Sequence, residues 1–105
     1  MTRRAERVSV TMPVRYRVAG ESAWWTTTVV NVSESGILFG PASVSSGTQI
    51  ELLFRCHVTI GSLIPGQHMC LGRAVRVAQD TVAVEFAVCR HLLDGHSPGG
   101  ALDPD

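Results

Sequence analysis

Lysine is missing from this chain: all nine of its basic residues are arginine. A net charge is missing too, because nine acidic residues cancel the nine arginines. That balance excludes the global positive field of a nonspecific nucleic-acid or membrane binder. Long apolar runs are absent. The longest, Phe86-Ala87-Val88-Cys89, is far too short for a membrane-spanning helix. Residues 1–7 carry charge like the start of a signal peptide, but no apolar stretch follows, so the reading places the protein in the cytoplasm. Cysteine is scarce, and Cys56, Cys70 and Cys89 are odd in number and too widely spaced for a Cys-x-x-Cys pair. Neither a disulfide framework nor a zinc site is indicated. The four histidines show no metal-ligand spacing and read as surface residues. No internal repeat or low-complexity segment occurs.

What is present is alternation. With 105 residues and 45% hydrophobic content, the chain suffices for one small domain with an ordinary core. Val8, Val10, Met12, Val14, Tyr16 and Val18 share one parity, and Ser9, Thr11, Pro13, Arg15 and Arg17 the other. Period two over that length predicts a half-buried strand, with Pro13 at an edge or bulge. After the turn at residues 19–22, residues 24–33 are rich in Trp, Thr and Val and predict a second strand. Plain alternation puts Trp24, Val30 and Val32 on its core face and Trp25 outside. Further strands are expected at residues 37–39, 50–58, 69–77 and 82–88, with Gln79-Asp80 as a tight hairpin turn. The composition of residues 89–94 allows one short helical turn ended by Gly95. Six or so short strands with regular turn signals predict an all-β fold, an antiparallel barrel or sandwich, and closure would remove the edges of so small a sheet.

Two stretches do not reduce to core and surface. Arg3-Arg4-Ala5-Glu6-Arg7 precedes the first strand, concentrating guanidinium groups, whose planar forks suit phosphate or a base edge. Asn31-Val32-Ser33-Glu34-Ser35-Gly36 ends the second strand. Asn31 and Ser33 alternate with Val32, so an amide and a hydroxyl share the face away from the core. Gly36 is expected to turn the chain with positive φ and to leave room for a ligand.

Together, Arg3-x-x-x-Arg7 and Asn31-x-Ser33-x-x-Gly36 resemble the paired signature of PilZ domains, the bacterial receptors for cyclic di-GMP. The resemblance extends through Gly-Ile-Leu-Phe at residues 36–39 and through residues 72–77 and 82–86, which are similar to the last two barrel strands. It implies a six-stranded PilZ-like barrel over residues 8–95. Residues 1–7 are expected to form a flexible arginine-rich arm, and residues 96–105 a disordered tail. It implies that Arg3 and Arg7, with Arg4 as a further phosphate contact, hold the guanines and phosphates. Asn31 and Ser33 contact a guanine, and Gly36 shapes the turn. The function implied is that of a non-enzymatic receptor, without metal or cofactor, that passes ligand binding to an effector protein. Ordering of the arm over the dinucleotide would create the signalling surface.

Other readings stand beside this one. Asn31 and Ser33 are residue types that also bond their own backbone in turns. The fold could serve as a protein-interaction module that has lost its ligand. A barrel binding single-stranded nucleic acid is a third reading. Against it, Tyr16, Trp24, Phe54 and Phe86 fall on core parity rather than on a stacking face. Arg15 and Arg17 read as a solvated strand face, and Trp25 as a partner contact or loop cover.

Overall fold

A computed structural model describes residues 11–92. The strands are β1 (Pro13–Val18), β2 (Trp25–Ser33), β3 (Gly36–Gly40), β4 (Gln49–Cys56), β5 (Gly66–Ala78) and β6 (Thr81–Leu92). They close into a barrel in the order β1-β2-β3-β6-β5-β4, with every ladder antiparallel. The expected all-β, six-stranded architecture is the one observed. Residues 1–10 and 93–105 lie outside the described residues, and with them the arm over 1–7 and the tail over 96–105.

Alternation builds the core as period two dictates. Met12, Val14 and Tyr16 of the first segment, and Ile50, Leu52, Phe54 and Cys56 of β4, all point inward and are buried. They meet Val29 and Val32, Ile37 and Phe39, Cys70 and Ala74, and Val82 and Val84. Tyr16 packs at a tilt on Phe39, ring centroids 5.1 Å apart. Burial raises the Tyr16 phenol above its ordinary pKa, and a hydrogen bond with the Ser43 backbone works against that. Burial likewise pushes the Cys56 thiol up, which makes it a poor nucleophile.

Plain alternation fails in β2. Val29 pairs with Phe39 and Asn31 with Leu38, leaving Val30 as the extra residue of a β-bulge. One inserted residue exchanges the faces of everything upstream. Val30 is 45% exposed rather than buried, while Thr27 and Val29 face inward. The two tryptophans exchange roles accordingly. Trp24 lies half-buried on the outer surface, with the guanidinium carbons of Arg15 and Arg17 5.3 and 4.6 Å from its ring centroid. Arg17 Nε also donates to Glu51 Oε1 at 2.6 Å. Arg15 and Arg17 are therefore not simply solvated, because both guanidinium groups lie against the indole ring. Trp25 pairs with Tyr16, on the inward parity, at the end of the strand.

Three further expectations are corrected. Residues 89–92 continue β6 as strand, paired with residues 67–70 of β5, so no helical turn forms there. Ladder hydrogen bonds to a long partner outweigh a local composition that permits a turn. Cys70 and Cys89 form a disulfide across that same ladder. Spacing in sequence conceals the pair because the Gln79-Asp80 hairpin brings them opposite one another. His68 is 2% exposed, not a surface residue. Its ring stacks on Phe54, and its Nε2 lies 2.8 Å from the Ile64 carbonyl oxygen. The β5–β6 ladder contains two bulges, with Val75 extra on β5 and Ala87 extra on β6.

Candidate functional site

The β2–β3 hairpin carries the polar motif, and its turn is the pair Glu34-Ser35. Below the Val30 bulge, Asn31 and Ser33 share the outward parity, opposite Leu38 and Gly36. The expected pairing of an amide and a hydroxyl on one face is therefore present. Ser33, however, is only 1% exposed. Its Oγ accepts the Ser35 N–H at 3.1 Å and lies 3.0 Å from Ser35 Oγ. A serine hydroxyl that bonds the amide two residues on closes the turn locally.

Gly36 serves the site for a different reason from the one its position suggests. Its φ is not positive, and the expectation of a left-handed turn residue is corrected. Glu34 and Ser35 make the reversal, also without positive φ. A Cβ on Gly36 would lie 2.5 Å from the Val84 carbonyl oxygen. Glycine is needed there because β3 and β6 approach closely. Gly72, on the other flank of β6, is confined by the Glu85 carbonyl in the same way.

Sequence reasoning missed the contact that fixes the hairpin tip. Glu34 Oε1 accepts the Ser62 N–H at 2.6 Å, joining the turn to the loop between β4 and β5. That loop is shaped to receive it. Gly61 has φ +58°, and a Cβ there would fall 2.6 Å from the same carboxylate oxygen. Ile60 and Leu63 anchor the loop with two reciprocal backbone bonds of 2.9 Å. A glutamate in a turn offers no signal for a partner 28 positions away.

Two rows of side chains run outward across the barrel from this hairpin. The first is Asn31, Leu38, Ala83 and Arg76, and the second is Ser33, Gly36, Glu85 and Arg73. Each row starts at the polar motif and ends on an exposed arginine of β5. Ala83 and Gly36 keep the middle of this face low. A face of this kind can accept a flat, acceptor-rich ligand, with guanidinium groups at one border. Arg3, Arg4 and Arg7 lie outside the described residues, so the arrangement of the described residues includes only Asn31, Ser33 and Gly36 of the sequence-predicted set.

The chain is similar in sequence and shape to known proteins. The family model of the PilZ domain matches residues 1–93. The barrel is similar to the crystal structure of the PilZ domain of CeSA from a cellulose-synthesizing bacterium. There the TM-score is 0.60 and the identity 17%, over 80% of this chain and 82% of that one. It is similar also to the Bacillus subtilis inhibitor of motility, MotI/DgrA, with TM-score 0.68 and identity 17%, over 86% of this chain and 44% of that one. At such identities the likeness is one of fold. No curated protein matches the sequence significantly.

Proposed function

This chain belongs to the PilZ domain family, and on that footing we propose that it is a cytoplasmic, non-enzymatic receptor for cyclic di-GMP that signals to a protein partner. The supporting observation is the pairing of two motifs within the matched residues. An arginine cluster at Arg3, Arg4 and Arg7 precedes a hairpin bearing Asn31, Ser33 and Gly36. In this reading the arginines grip phosphates and guanine edges through paired N–H donors. Asn31 offers an amide to a guanine, Ser33 fixes the turn that presents it, and Gly36 keeps the β3–β6 surface flat. Each hydrogen bond to a charged group is worth roughly 1.5–3 kcal/mol, so a few of them give about micromolar binding.

A second reading draws on Ser33. Its hydroxyl is buried and already engaged with Ser35, which favours a PilZ-like interaction module without ligand. One titration separates the two. Calorimetry of the purified protein with cyclic di-GMP, against an oligonucleotide control, should give saturable heat for the dinucleotide alone. Arg7→Ala should weaken that binding at least about tenfold, the loss of one charge-assisted bond, with an unchanged circular dichroism spectrum. Absence of heat with cyclic di-GMP would establish the ligand-free module instead.

A further inference from the structure

At the barrel end opposite the hairpin, β1, the start of β2, the turn between them and the loop after β3 border an open cavity of about 520 Å³. Its walls include Trp25, Glu21, Tyr16, Ser43, Ser45 and Thr48. Trp25 stands on the inward parity but beyond the last core layer, and 57% of it is exposed. A large aromatic surface held open at the edge of a cavity is a contact surface by preference. Glu21 is exposed beside it, and no described cation pairs with its carboxylate. The cavity thus combines an open indole face, an uncompensated carboxylate and several hydroxyl acceptors. What would complete it is a planar cation that both stacks and donates.

The neighbouring tryptophan shows the completed arrangement in the same chain. Trp24 has its ring covered by Arg15 and Arg17, and Arg17 is held in turn by Glu51. There the guanidinium lies against the indole ring and is paired with a carboxylate, although the Trp24 indole N–H is buried without a hydrogen-bond partner among the described residues. At Trp25 the indole and the carboxylate are in place, and no guanidinium among the described residues joins them. We infer that the cavity at Trp25 and Glu21 is a docking pocket for an arginine side chain of a protein partner. Arginine fits better than lysine because its flat group stacks on the indole while its edge donates to the carboxylate and hydroxyls. The pocket lies about 20 Å along β2 from the Asn31–Ser33 face, so a partner could occupy it while that face holds its own ligand.

The test uses the full chain, labelled with ¹⁵N, and capped five-residue peptides with arginine, lysine or glutamate at the centre and Gly-Ser flanks. The arginine peptide should shift the Trp25 indole N–H and the amides of Ser43, Ser45 and Thr48, and leave the Trp24 indole in place. Lysine should bind more weakly and glutamate not at all. Glu21→Gln and Trp25→Ala should each weaken arginine-peptide binding about threefold to tenfold. Trp25→Phe, which keeps an aromatic face, should retain part of it. Shifts as large with the glutamate peptide, shifts spread over the barrel, or no shift at millimolar arginine peptide would each overturn the proposal. None of these outcomes depends on cyclic di-GMP.

Discussion

The β2–β3 and β5–β6 hairpins share a plan, a bulged antiparallel ladder closed by a two-residue turn, and they are secured in opposite ways. The tip of β2–β3 is held by polar contacts: Ser33 to Ser35 within the turn and Glu34 to Ser62 across to a loop. The β5–β6 hairpin is the longer of the two and is crossed by a covalent bond between Cys70 and Cys89. Hydrogen bonds of this kind contribute about 0.5–1.5 kcal/mol each and exchange readily with solvent or a ligand. A disulfide acts mainly on the unfolded chain and opens only by reduction or thiol exchange, not by competition with solvent or a ligand. The element bearing the motif is thus fastened by hydrogen bonds, and the scaffold beside it by a covalent bond.

Gly36→Val should do the most damage, because it strikes where the two hairpins meet. Its new side chain has only the Val84 carbonyl to move, and a backbone oxygen in a ladder does not move cheaply. The expected loss is about 4 kcal/mol of stability, seen as a lowered thermal midpoint or a failure to fold. An unchanged midpoint would mean that β3 and β6 can separate freely.

Removing the covalent fastening comes next. The bridged residues are 19 positions apart, so the double variant Cys70→Ser, Cys89→Ser should cost about 3 kcal/mol in denaturant unfolding. Its affinity for cyclic di-GMP should equal that of the parent. A matched loss of affinity would erase the division between the two hairpins.

Glu34→Ala should be the mildest, costing about 1 kcal/mol. Its specific readout is amide hydrogen exchange: the Ser62 N–H should lose about fivefold of its protection, while amides of β5 and β6 keep theirs. Equal loss throughout would show the clasp to be part of the global fold.

Much of this architecture is legible in the residues. Met12, Val14 and Tyr16, and Ile50, Leu52 and Phe54, alternate without interruption, and both runs point as period two requires. The turns at Glu34-Ser35 and Gln79-Asp80 fall where polar punctuation sits. Misreadings gather wherever the determining atom belongs to another strand. Nothing local marks Val30 as a bulge; its ladder with β3 does, and Trp24 and Trp25 change faces as a result. Gly36 reads as a turn glycine until Val84 is seen against it. Glu34, the His68 ring stacked on Phe54, and the cysteine pair are likewise defined by distant partners.

The pairing of Cys70 with Cys89 also works as a counter of register. Val75 adds one residue to β5 and Ala87 adds one to β6, so the two offsets cancel before the cysteines are reached. Without the Val75 bulge, Cys70 would stand opposite Arg90; without the Ala87 bulge it would stand opposite Val88. Both of those neighbours of Cys89 point to the other face of the sheet. Oxidation to this bond therefore checks the hairpin for balance, since it closes when the two offsets cancel and is blocked when only one irregularity has formed.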